Sequence, residues 1–351
     1  MVTNGSDGQV VMSAGSHVKR YLLETVPTFQ RLNALREKGW NNPQGDRYFA
    51  RQRRNADTAS DQQAHFFLKM MKDVGREIHD ATRIFDVRTL DNGPAKILDM
   101  CMAPGAFTYL AMEKNPGAQA RAFSLPPDKG GHEVLIPPNP DLTIEFVDIT
   151  MLAADMGVNR IPLSHPEAHE FLPKKLYPQD VFDLAICDGQ VLRTHHRAAH
   201  RESREVTRLA LTQLAIAVEH MKPGGSMLIL IHKVEAWKSV MLLRTFSRFS
   251  NVKVFKPRRA HAKRGSCYIV ASNIQPQHED AIRAVRTWKQ LWKSATFDTE
   301  SDFERLSASL EPDVNEVLGD FGATLVGFGQ QPWEIQADAL DKAPFVRGWG
   351  S

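Results

Sequence analysis

Cysteine is scarce in this sequence: only Cys101, Cys187 and Cys267 occur in 351 residues. All three lie in or beside apolar runs, and no two are spaced as metal ligands are. They read as buried, reduced core residues, which argues against a disulfide scaffold and fits a reducing compartment. Long apolar runs are also missing. No stretch reaches the roughly 18 residues that a membrane span needs. The opening MVTNGSDGQVVMSAGS has neither a secretory apolar region nor an Arg-rich transit pattern. An intracellular location, cytoplasmic or nuclear, is therefore expected. Charge of one sign is weak, with a formal net charge of +3. A chain-wide polycation is excluded, so any nucleic-acid binding must come from local basic segments. His195, His196 and His200 cluster, but no Cys or Asp completes a ligand set, and no metal is expected. No internal repeat is visible.

What remains is an ordinary globular composition, 42% hydrophobic and 24% charged, enough for a sizeable core. Three zones are expected: a basic N-terminal extension over 1–60, an α/β domain over 61–274, and a helical C-terminal extension over 275–351. The first contains RYLLETVPTFQRLNALREKGW, with a helical pattern, and the basic RYFARQRRNADTASDQQ. In the second, HFFLKMMKDVGREIHDATRIF has apolar residues at helical spacing. KILDMC, ARAFSL, TIEFVDI, FDLAICD and SMLILIHK read as strands, with helices AFTYLAMEK, ESREVTRLALTQLAIAVEHM and AWKSVMLLRTFSRF between or after them. KPGG reads as a turn. Alternating strands and helices predict a mostly parallel sheet. VKVFKP and SCYIVASN close the zone as two strands with no helix between them, which predicts an antiparallel hairpin at one edge. The last zone holds helices EDAIRAVRTWKQLWKSA and FERLSASLEPDVNEVLGDF, then an irregular tail.

The most informative stretch is ILDMCMAPGAF. Asp99 ends a strand, and Pro104 and Gly105 turn the chain into a helix. Ligands of open α/β sheets bind at the carboxyl ends of strands. A glycine permits close backbone approach, and open N–H groups at a helix start can meet a carboxylate.

This stretch resembles the first motif of the FtsJ family of S-adenosylmethionine (SAM) dependent RNA ribose 2′-O-methyltransferases. Asp99, Ala103, Pro104, Gly105 and Phe107 match it, while Ala106 replaces a glycine. The resemblance covers about residues 65–273. It implies a Rossmann-like methyltransferase sheet, SAM as cofactor and RNA as partner. Asp148, after the third strand, falls where the family contacts the adenine amino group. The acid usual after the second strand is missing or moved, since that strand ends Ser124-Leu125-Pro126. The family's Lys-Asp-Lys-Glu catalytic set maps onto Lys69 (with Lys72 as substitute), Asp188 and Lys233. Its glutamate maps onto Ser266, a departure. Lys233 is then the candidate base, oriented by Asp188, with Lys69 lowering its pKa or polarising the hydroxyl. Asp188 also borders the cofactor.

Two basic segments flank this set, VLRTHHRAAHRESREVTR and KVFKPRRAHAKRGS, and suit a phosphate backbone. Two other readings compete with RNA methylation. One is a small-molecule methyltransferase of the same fold; the other is a degenerate, non-catalytic RNA-binding relative. The sequence does not position an aromatic stacking partner such as Trp237 or Tyr177.

Overall fold

A computed structural model describes residues 12–57, 61–89, 93–192, 195 and 197–347. The apolar runs pair as strands β1 Lys96–Asp99, β2 Gln119–Ser124, β3 Leu142–Phe146, β4 Phe182–Cys187, β5 Met221–Ile231, β6 Asn251–Phe255 and β7 Cys267–Ile274. They form one sheet in the order β3-β2-β1-β4-β5-β7-β6. Strands β1 to β5 are mutually parallel where they pair. β7 enters antiparallel between β5 and β6, so the expected hairpin is folded into the edge. The carboxyl ends of β1, β4 and β5 and the start of β7 therefore share one rim of the sheet.

The helices are α1 Ala14–Thr25, α2 Pro27–Trp40, α3 Pro43–Asp57, α4 Asp61–Thr82, α5 Ala106–Lys114, α6 Glu205–Glu219, α7 Trp237–Phe246, α8 Glu279–Phe297, α9 Glu300–Leu310, α10 Val314–Asp341 and α11 Pro344–Arg347. Alternation along the strands sorts side chains to two faces. Leu184, Ile186, Leu228, Tyr268 and Val270 pack with Val74 and Ile78 of α4 and Phe107 and Leu110 of α5. Gly75 lets α4 and α5 touch, since a Cβ there would lie 2.4 Å from Leu110 Cδ1. Ala185, Cys187, Ile229, Ile231, Cys267 and Ile269 face the larger core with α6, α7 and α8.

Both terminal extensions contribute to that larger core through Val18, Leu22, Phe29 and Leu32 on one side and Val317, Leu325 and Trp333 on the other. Phe29 and Trp333 meet edge to face at 5.1 Å. Glu235, just past β5, ties the two together. It accepts from Arg36 at 2.7 Å and from the Trp333 indole at 3.0 Å.

Three expectations are corrected. KPGG is not a turn, because β5 runs through it with an irregular register opposite Phe182–Leu184. Gly224 takes φ +82° there, a conformation glycine adopts without strain. The C-terminal tail is not irregular: α10 is 28 residues long and contains Pro332. Asp313 caps it by accepting from the N–H groups of Asn315 and Glu316, while Phe321, Leu325, Trp333 and Leu340 lie on its buried face. Finally, Cys187 and Cys267 are buried but Cys101 is only half-buried. Among the described residues no helix is long and apolar enough to cross a membrane, and no group of three ligand side chains could hold a metal ion.

Candidate functional site

Asp99 ends β1 and is almost completely buried. Its carboxylate accepts from the Cys101 N–H at 3.1 Å and the Thr108 hydroxyl at 2.5 Å. Burial nonetheless pushes its pKa up to about 6, against those two hydrogen bonds. Asp188 follows β4 on the neighbouring strand. Burial first, and then the Asp99 charge, hold it well above the usual carboxylate range. No described lysine or arginine is paired with either group. A buried carboxylate with a second, half-buried one on the next strand and no described cation is costly when both are ionised. They are suited to a cationic ligand.

Gly105 follows at φ +105° and caps α5 with no side-chain hydrogen bond, so the first N–H groups of that helix are open. A Cβ at Gly105 would lie 3.0 Å from Ile136 Cγ2 and 3.1 Å from Met102 Cε. The segment carrying Ile136 crosses the turn, with the Leu135 N–H donating to the Pro104 carbonyl at 3.1 Å. Ala103 is partly exposed in the turn, and Pro104 is buried. Ala106 and Phe107 are buried beneath it, with Phe107 against Tyr268 at 5.7 Å. A Gly105→Val chain should lose at least about 2 kcal/mol of stability, since a branched residue is strained at positive φ. It should also bind SAM at least tenfold more weakly, the turn having shifted. Thermal melting and calorimetric titration check both, and unchanged affinity would contradict the assignment.

Asp148, beyond β3, caps the short helix Ile149–Met151. It accepts from the Thr150 N–H and hydroxyl at 2.9 and 2.7 Å, and from Arg201 at 3.3 Å. Arg201 belongs to a buried cluster in which Arg208 bonds Glu205 at 2.9 Å, the Thr150 carbonyl at 2.9 Å and Thr296 at 3.1 Å. Arg197 pairs with Glu202 and Arg204 with Glu300. The first basic segment is therefore largely spent inside the protein, contrary to its reading as phosphate-facing charge. Its Arg193 and His196 lie outside the described residues. The first acid after β2 is the exposed Asp128, in the turn Pro127–Lys129.

The catalytic candidates are only partly gathered. Ser266 directly precedes β7, and its neighbour Gly265 abuts Lys233, where a Cβ would lie 3.0 Å from Lys233 Cγ. Lys233 is exposed, and its Nζ lies 5.8 Å from the Trp40 ring centre. No side-chain hydrogen bond joins Lys69, Lys233 or Ser266 to Asp188 among the described residues. Lys69 is exposed on α4. Lys72, one turn on, sits 3.4 Å from the centre of the Tyr109 ring. Burial is the main cause that lowers its pKa.

Two residues escaped sequence reasoning. His232 bonds Gln190 at 2.6 Å beside Asp188's strand; its place next to Lys233 was the available signal. Trp40 is 71% exposed at the end of α2, and nothing in the sequence marked it. The second basic segment behaves differently from the first. Lys256 is buried and bonds the carbonyls of His261, Arg264 and Ser266 at 2.8, 2.5 and 2.8 Å. That shapes the loop, leaving Arg258, Arg259 and Arg264 exposed.

A family model described as FtsJ-like methyltransferase matches residues 76–274. A search of curated proteins found no match. Among solved structures, a Plasmodium falciparum protein described as a ribosomal RNA methyltransferase aligns at 16% identity and TM-score 0.36, over 58% of this chain and 96% of that one. An rRNA methylase from Streptococcus thermophilus aligns at 13% identity and TM-score 0.33, over 56% and 96%. Human methyltransferase-like protein 13, solved with SAH, aligns at 12% and 0.34, over 70% and 99%.

Proposed function

The chain belongs to the FtsJ-like methyltransferase family, and from that premise we propose that it transfers methyl groups from SAM to ribose 2′-hydroxyls of RNA. The observation that carries the cofactor is the buried Asp99 with the half-buried Asp188 beside it, a pair that has no described counter-ion. SAM supplies an electrophilic methyl group on a sulfonium and carries a second cation, its α-ammonium. Asp99 would hold the ammonium. The open N–H groups at the start of α5 would take the α-carboxylate, lined by Ala103, Pro104 and Gly105. Ala106 and Phe107 support that turn, and Asp148 would receive the adenine amino group.

Residues 61–274 would carry the chemistry, inside the cell, and the extensions 1–60 and 275–351 would flank the acceptor. Asp188 would orient the acceptor hydroxyl and Lys233 would take its proton as the bond forms, with Lys69 polarising the oxygen. Positioning dominates such a displacement. Ser266, next in sequence to the Gly265 that abuts Lys233, stands where the family has an acid. The RNA reading rests on Arg258, Arg259, Lys263 and Arg264, whose side chains pair with no carboxylate among the described residues, although the Arg258 N–H donates to Glu77 at 2.9 Å.

Replacing those four by alanine should weaken RNA binding and lower the slope of log affinity against log salt. The reduction should be about 0.7 for each phosphate of a single strand that is no longer neutralised. Salt titrations of fluorescence anisotropy read this directly. A parent chain whose affinity ignores salt would favour a small-molecule acceptor instead.

A further inference from the structure

We propose that Trp40 is a stacking platform for an unpaired base of the RNA substrate, next to the nucleotide being methylated. This deepens the RNA methylation reading and rests on it. Trp40 is a large apolar ring left 71% exposed, yet it is not on a loose segment. α2 is anchored by Arg36, which donates to Glu235 at 2.7 Å and to Gln336 at 2.6 Å. The corner after it is anchored by Asn42, whose side chain donates to the Phe345 carbonyl at 2.8 Å. Gly45 permits the tight corner, since a Cβ there would meet the Gly39 carbonyl at 2.3 Å. An exposed indole on a fixed support presents a face at little entropic cost on binding.

Its neighbours are cationic. Lys233 Nζ lies 5.8 Å from its ring centre, and Lys263 Nζ lies 5.3 Å from the Tyr48 ring. The Lys263 backbone is held by Gln336, which donates to its carbonyl at 3.1 Å. Two aromatic rings, each with a lysine, thus stand at the sheet rim where β5 ends and β7 begins, with Arg258, Arg259 and Arg264 exposed on the loop before β7. Aromatic faces interleaved with cations whose side chains pair with no carboxylate among the described residues fit single-stranded RNA: bases stack and phosphates meet the lysines and arginines. A protein partner with an acidic surface would use the cations but not a lone indole face.

Position gives the platform its role. A base stacked on Trp40 in van der Waals contact, about 3.5–4 Å away, lies near Lys233 Nζ, itself 5.8 Å from the ring centre. The attached ribose is then within reach of Lys233.

The test uses the full chain, a fluorescent oligouridylate of about twelve residues, and the variants Trp40→Ala, Trp40→Phe and Lys263→Ala. Trp40→Ala should weaken RNA binding about tenfold or more, the usual cost of losing one stacked base. It should leave SAM affinity, melting temperature and the salt slope unchanged. Trp40→Phe should recover most of the loss. Lys263→Ala should instead lower the salt slope by about 0.7. If the parent binds the RNA and Trp40→Ala binds equally well, the platform is overturned while RNA methylation stands. If Phe is no better than Ala, stacking is overturned as the cause. If the parent neither binds nor methylates any RNA, the functional reading falls and the platform falls with it.

Discussion

An Asp99→Asn chain is expected to bind SAM about a hundredfold more weakly than the parent at pH 7.5, and its ligand-free form to melt at a higher temperature. Both follow from the same burial. Asp99 is pushed up to about 6 chiefly by loss of water, so holding it ionised at pH 7.5 costs the folded protein about 3 kcal/mol relative to the unfolded chain. Asparagine keeps the shape and removes that cost. It also removes the anion facing the SAM ammonium, and a hundredfold is about 2.7 kcal/mol, within the range for a charged hydrogen bond.

The sign with pH is fixed by the direction of the shift. The folded-state pKa is raised, so the folded protein holds the proton longer than the unfolded chain does. Ligand-free stability should therefore fall as pH rises from about 4 to about 6, then level off. SAM affinity should do the opposite: it should fall as pH drops below about 6, approaching tenfold per unit when one proton must leave. Melting curves and calorimetric titrations between pH 5 and 8 read both trends. Affinity that does not change with pH in the parent would separate Asp99 from the cofactor.

Lys233→Ala should lower methyl transfer by about a hundredfold or more, a usual contribution of a general base, while SAM affinity stays within twofold of the parent. Charge alone could explain such a loss if Lys233 only held a phosphate, so Lys233→Arg is the informative companion. Arginine keeps the cation and can still lie over Trp40, but it does not give up its proton in proteins. Lys233→Arg should be as inactive as Lys233→Ala while binding RNA like the parent. Recovery of activity in the arginine chain would assign Lys233 to phosphate binding and turn attention to His232, which bonds Gln190 at 2.6 Å. Ser266→Glu would restore the family's acid at that position and should keep or raise activity.

The sheet and the strand-to-helix turn after Asp99 were legible because each rests on local pattern. Short apolar runs bounded by turns mark the strands, and Pro104-Gly105 after Asp99 marks a strand-to-helix turn wherever it occurs. The long helix α10 was not legible, since Pro332 and its glycines suggest a break. It holds because Trp333 and its neighbours bury against α2, a tertiary effect that overrides propensity. The arginines of the first basic segment were misread because a sequence gives a charge but not its partner. Arg201 and Asp148 are 53 positions apart and meet only in the fold. Lys233 shows a subtler limit. Matching a lysine to a strand end cannot say which way it leaves the rim, because successive side chains alternate between faces. Trp40 carried no signal at all, for its meaning lies in where α2 docks.

The measurement that bears most directly on the proposed activity is transfer of tritium from methyl-labelled SAM to RNA, followed by nuclease digestion and mass analysis of the nucleosides. The expected result is label in RNA that depends on Asp188 and Lys233, carried as ribose-methylated nucleosides whose 3′ linkages resist alkaline hydrolysis. Label on a base instead of the ribose would contradict the 2′-hydroxyl as acceptor. SAM bound at the Asp99–Asp188 site with no label in any RNA would contradict RNA methylation itself.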